Sequence, residues 1–134
     1  MRALSIRQPF AELILRGIKT VEYRSRTTKV IGERFYIYAS KRPAEVASEG
    51  IWSNDLTAEQ APAWLAELWE QARWIESGAL LPTGVIVGSA VIEGVCQIDS
   101  ETFGWKIVDV RRARKLRKPT GHPQPVWFEP FKSN

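Results

Sequence analysis

Val85-Ile86-Val87-Gly88-Ser89-Ala90-Val91-Ile92-Glu93-Gly94-Val95-Cys96 is the stretch that decides what kind of molecule this chain makes. It is rich in β-branched residues and reads as the strongest strand in the sequence. Its small residues, Gly88, Ser89 and Ala90, mark a bend or the close approach of another segment. On its N-terminal side Leu81-Pro82-Thr83-Gly84 is a turn. On its C-terminal side Phe103-Gly104-Trp105-Lys106-Ile107-Val108-Asp109-Val110 alternates as a second strand. Beyond the Pro/Gly-rich stretch 119–125, Val126-Trp127-Phe128 is a last one.

Moving toward the N-terminus, residues 34–39, 21–24 and 2–6 read as further strands. Pro9 at a first helical position opens a two-turn helix closed by Gly17, with Phe10, Leu13 and Ile14 on one face. The following residues Ile18-Lys19-Thr20 read as an exposed loop. Pro43 permits a helical turn through Ala47. Trp64, Leu65, Leu68, Trp69, Ala72 and Ile75 recur at three and four, which predicts an amphipathic helix ending near Glu76. Five or six strands and two or three helices, without regular strand-helix alternation, predict an α+β fold. The expected sheet is small and bent into a barrel, with helices flanking it.

A chain of 134 residues, 44% hydrophobic and 25% charged, is the size and composition of one folded domain, so residues 1–134 are read as a single unit. Cys96 is the only cysteine and His122 the only histidine, which removes a disulfide and structural zinc; no metal or cofactor is expected. Arg2, Arg7 and Pro9 interrupt any secretory core, and no apolar run is long enough to span a bilayer, so the expected setting is cytoplasmic and off the membrane.

The charge is unevenly spread. Residues 1–42 carry a balance of +7, residues 43–105 of −9 and residues 106–134 of +6. If the two basic ends lie side by side they make one positive face whose field attracts a polyanion, nucleic acid above all. Arg111-Arg112-Ala113-Arg114-Lys115-Leu116-Arg117-Lys118 concentrates six cations in eight residues. Such a run repels itself unless an anion is nearby, although a solvated strand end is an equal alternative.

Gly17-Ile18-Lys19-Thr20-Val21-Glu22-Tyr23-Arg24 follows the pattern Gly-x-Lys-x-x-Glu-x-Arg, downstream of Ser5-Ile6-Arg7-Gln8-Pro9-Phe10-Ala11. Gly32, Tyr38-Ala39-Ser40-Lys41-Arg42-Pro43, the segment 81–90, Trp105, Pro119, Gly121 and Trp127 follow in order. Together these resemble the ASCH domain, named for homology to an activating signal cointegrator, over nearly the whole chain. The resemblance implies a β-barrel like that of the PUA domain and a role in RNA or DNA binding. Some members are nucleic-acid-directed enzymes, among them a ribonuclease and amidohydrolases of N4-acetylcytidine. The amidohydrolases place a nucleophilic Thr three residues after the Lys, where this chain has Glu22.

Chemically, Glu22 and Arg24 on an extended segment share a face, and Lys19 in the preceding turn can fold back over it. Arg24 offers a fork for a phosphate or base edge, Lys19 a compact charge, and Glu22 an acceptor or general base. An internal ion pair that merely fixes the loop is the alternative. Gln8 could add an amide, and Ser40 with Lys41 a hydroxyl beside an ammonium. The expected ligand is RNA or a nucleotide, including a modified one, in a basic cleft lined by Gln8, Lys19, Glu22, Arg24, Ser40 and Lys41. Arg111, Arg112, Arg114 and Lys115 would hold backbone phosphates. An enzyme using Lys19, Glu22 and Arg24 in that cleft is the alternative function, and Tyr36, Trp52 or Trp127 could stack on a base.

Overall fold

A computed structural model describes residues 1–42, 46–47, 50–51 and 81–131. The elements run β1 (Ala3–Ile6), α1 (Phe10–Leu15), β2 (Val21–Arg24), β3 (Arg34–Ala39), β4 (Val46–Ala47), β5 (Gly50–Ile51), β6 (Val85–Asp99), β7 (Thr102–Arg117) and β8 (Trp127–Phe128). Six strands form one sheet in the order β2-β7-β6-β3-β1-β8, and β4 pairs with β5 alone. Only β1 and β3 run parallel; every other pairing is antiparallel.

The sheet stays open, which corrects the expected barrel with two or three flanking helices. Closure would need a backbone ladder between the edge strand β2 and the β1–β8 edge. Those rims meet instead through side chains, with Arg24 Nη2 donating to Ser5 O at 2.6 Å and Nη1 to Pro125 O at 3.4 Å. Among the described residues the six-residue α1 is the one α-helix. Val46 and Ala47, expected in a helical turn, stand in the small β4–β5 hairpin. The helix expected from Thr57 or Pro62 to Glu76 lies outside the described residues, as do Trp52, Trp64 and Trp69.

Alternating side chains give the sheet two apolar faces. Leu4, Ile6, Phe35, Ile37, Val87, Ala90, Ile92, Trp105 and Ile107 pack on one, covered by Ala11 and Ile14 of α1. The opposite face carries Ala3, Tyr38, Ile86 and Phe128, with Tyr36 and Phe131 against them. The helix can approach because residue 88 lacks a side chain. A Cβ there would stand 2.5 Å from Arg111 O and 2.6 Å from Leu15 Cδ2.

The β6–β7 hairpin departs from regular register on its β7 side. Val91 faces Val108 but Ser89 faces Arg111, so Asp109 and Val110 stand opposite Ala90. Asp109 takes a left-handed φ of 51°, as the first residue of a bulge often does, though glycine is the usual occupant. Further on, Gly88 faces Arg112 and Ile86 faces Arg117, which leaves residues 113–116 opposite Val87 alone. That excess pushes Arg114, Lys115 and the half-exposed Leu116 out from the ladder.

The same register brings the basic segments together. Ile6 pairs with Ala39, Ala39 with Val85, and Ile86 with Arg117, so the ends of β1, β3 and β7 meet at one end of the sheet. Arg7, Lys41, Arg42 and Lys118 follow those strand ends and are exposed. Asp99 and Glu101 sit at the far tip of the hairpin.

Candidate functional site

The motif is built by a helix stop. Gly17 at φ 76° ends α1, and the amides of Ile18 and Lys19 both donate to Leu13 O, at 3.0 and 3.1 Å. This turn aims Lys19 inward rather than along the exposed loop expected of it, and only 2% of the residue is accessible. Its ammonium donates to Glu22 Oε1 at 2.8 Å and to Val21 O, and lies 5.5 Å from the Tyr23 ring centroid and 6.0 Å from that of Phe10. Glu22 Oε2 accepts from Arg24 Nε at 3.1 Å and Nη2 at 2.8 Å. The Arg24 guanidinium lies 5.7 Å from the Trp105 ring centroid.

The three side chains therefore converge, with one carboxylate between two cations. Burial raises the Glu22 carboxyl, but Lys19 and Arg24 overcome it and hold the group below its ordinary range. Burial pushes the Lys19 ammonium down, against the pull of Glu22. The cluster lies within the fold: 9% of the Glu22 side chain is accessible and 18% of that of Arg24, which makes Arg24 the member that reaches solvent. Its neighbour Trp105 stacks parallel to Trp127 at 6.0 Å, while Trp105 Nε1 donates to Arg26 O and Trp127 Nε1 to Thr28 Oγ1. Trp127 is half-buried in this arrangement.

The remaining expected residues divide. Gln8 is buried with its amide engaged, Nε2 donating to Pro82 O at 2.9 Å and Oε1 accepting from the Glu12 amide at 3.0 Å. Ser40 is half-buried at the end of β3, and Lys41 is exposed with its stem against Gly84. Arg112 is drawn away from solvent anions: Nη1 and Nη2 donate to Glu12 Oε1 and Oε2 at 2.9 and 2.8 Å. Arg16 Nε donates to the same Oε2 at 2.7 Å. The hydrogen bonds from Arg112 hold the Glu12 carboxyl below its usual range, and Glu12 in turn raises Arg112. Arg111 is exposed and 3.9 Å from Asp109. Arg114 and Lys115 are exposed with no ion partner among the described residues. His122 and Thr20 are also exposed.

Sequence reasoning missed the Glu12–Arg112 clamp, whose partners lie a hundred positions apart. The one signal was a carboxylate inside an otherwise apolar helix. It also missed Arg34, whose Nη1 donates to Ser89 Oγ at 2.9 Å and to Asp109 O at 3.0 Å. Among the described residues no three His, Cys, Asp or Glu side chains could hold a metal, and no helix is long and apolar enough to cross a membrane.

The pattern of the ASCH domain family matches residues 4–120. This chain is an ASCH domain. A solved structure of a ZmASCH point mutant from Zymomonas mobilis resembles it with a TM-score of 0.54 at 15% sequence identity, covering 96% of this chain and 86% of that one. A likeness at that identity speaks for the fold. A search of curated proteins finds no match. Within the ASCH domain, the Gly-x-Lys-x-x-Glu-x-Arg pattern is the turn and strand that build the buried cluster.

Proposed function

We propose that this ASCH domain binds RNA at the basic end of its sheet. The observation that carries the reading is the strand register, which gathers Arg7, Lys41, Arg42 and Lys118 from both ends of the chain. The bulged residues 113–116 of β7 add Arg114 and Lys115 just before that end. Cations with no ion partner among the described residues suit backbone phosphates, while Ser40 beside Lys41 offers a hydroxyl to the same strand. Arg24 lies next to this end, hydrogen-bonded to Ser5 O one residue before Ile6. Its partly exposed fork is the group in the motif suited to a base edge or a modified nucleotide. Lys19 and Glu22 orient it, and Gln8 fixes the adjoining turn.

Binding is preferred over a ribonuclease or amidohydrolase reading because Lys19 and Glu22 occupy one another, and a carboxylate stands where the amidohydrolase pattern has a hydroxyl. The experiment is binding of labelled single-stranded RNA as a function of salt, with DNA of the same sequence in parallel. Affinity should fall steeply with salt, and the Arg114→Glu/Lys115→Glu double variant should flatten the slope by about one unit per lost phosphate contact. RNA recovered intact supports binding alone. An unaltered slope would move the site elsewhere, and shortened RNA or a released acid would make the domain an enzyme.

A further inference from the structure

Arg34, Ser89, Asp109 and Arg111 meet on the face of the sheet opposite α1, away from the Lys19–Glu22–Arg24 cluster. Arg34 is oriented there independently of the Asp109 carboxylate, because its Nη1 is held by Ser89 Oγ and by the backbone oxygen of Asp109. Its Nη2 then points outward and takes Asp109 Oδ2. Arg111 Nη2 lies 3.9 Å from that same oxygen. Ser89 accepts from Arg34 and keeps its own proton, which has no acceptor among the described residues. Two guanidiniums thus face a single carboxylate oxygen, and the Ser89 hydroxyl holds one of them in place.

The carboxylate reaches this position from a backbone conformation that is uncommon for a residue with a side chain, φ 51° in the β7 bulge. More than half of the Asp109 side chain is exposed, so it is tethered over the cations without being buried by them. Partly exposed pairs of this kind are weak and exchange readily. The position is also continuous with the basic end. Tyr36, Ser89 and Arg111 form one row across β3, β6 and β7, and Tyr38, Ile86 and Arg117 form the next. Arg117 lies 4.3 Å from the Phe131 ring centroid and 5.4 Å from that of Tyr36. On β3 these rows are two residues apart, about 6.8 Å, while on β7 the bulge puts Arg111 and Arg117 six residues apart in sequence.

We propose that Arg34, Ser89 and Arg111 form a phosphate-binding site whose internal occupant is the Asp109 carboxylate, displaced when a backbone phosphate arrives. The site rests on the RNA reading only for the molecule that carries the phosphate. It extends the RNA path from the end of the sheet onto this face and makes Asp109 a built-in competitor.

The test compares Asp109→Asn with Glu93→Gln, which removes one negative charge from the exposed Glu93–Lys106 pair. Asparagine accepts the left-handed conformation readily, so the bulge is retained. With a short oligouridylate, Asp109→Asn should bind about threefold to fivefold more tightly than wild type. Glu93→Gln should gain less, and adding Arg34→Gln to Asp109→Asn should remove the gain. Inorganic phosphate titrated into Asp109→Asn should shift the amide resonances of Arg34, Ser89 and Arg111 more than in wild type. Equal gains from the two neutralised carboxylates, or phosphate shifts away from those three residues, would overturn the site. An oligouridylate that binds no form of the protein, beside phosphate shifts at those residues, would overturn the RNA reading and leave the site standing.

Discussion

Replacing Glu22 by Gln tests whether the motif cluster is a buried charge network. In the native fold each carboxylate oxygen faces a cation, Oε1 that of Lys19 and Oε2 that of Arg24. The variant keeps the shape but leaves an ammonium with 1% side-chain accessibility beside a neutral amide. Breaking a buried pair by removing one partner costs about 3 to 5 kcal/mol. The lower figure applies here, since Arg24 keeps some solvent and Lys19 can shed its proton. About 3 kcal/mol corresponds to a loss of roughly 10 °C in Tm for a domain of this size. The pH dependence has a definite sign. Without the Glu22 carboxylate the burial that lowers Lys19 meets less opposition, so its value falls further below the 10.5 of the unfolded chain and the folded variant gives up its proton more readily than the unfolded one. Stability rises with pH wherever the unfolded state binds more protons, so the deficit measured by urea unfolding should shrink as pH rises toward 10.5. Lys19→Met, which keeps an apolar stem against Phe10 and Tyr23 and leaves Glu22 with Arg24, should cost less. A Glu22→Gln loss below about 1 kcal/mol at pH 6, or one indifferent to pH, would refute the buried-network account.

Arg112→Ala should destabilise the protein by about 1 to 2 kcal/mol at neutral pH, because Glu12 is left with Arg16 alone while Arg112 is itself half-exposed. The Glu12 contribution is present above its ordinary value of 4.5 and lost as pH falls through the depressed folded value, so the difference from wild type in urea unfolding should shrink steadily as pH falls below 4.5. Gly88→Ala should cost about 1 to 3 kcal/mol in thermal unfolding, since its new methyl meets the backbone oxygen of Arg111 as well as the movable tip of Leu15.

Local chemistry was readable where a segment's own residues decide its structure. The strands at 21–24 and 34–39, and the helix stop at Gly17, fall where composition and punctuation put them. The basic run was harder: alternation ends near Val110, yet β7 continues to Arg117 because β6 supplies a partner and a bulge absorbs the mismatch. Whether the sheet closes depends on which edges meet, and no strand by itself encodes that. Convergence of Lys19, Glu22 and Arg24 followed from spacing, but the covering of Arg24 follows from Ser5, Pro125 and Trp105, which only the tertiary fold brings there. Likewise Arg112 looked like its neighbours in a cationic run until the fold set it against Glu12.

The two rims of the open sheet are joined by a relay of charge, Lys19 to Glu22 to Arg24 to the Ser5 carbonyl, where a closed structure would have zipped peptide groups. A zipper parts only by surrendering successive strand bonds, whereas this clasp can yield at one guanidinium and leave every ladder whole. Release of Arg24 from the Ser5 carbonyl thus opens the rim beside the sequestered lysine at the cost of side-chain contacts alone.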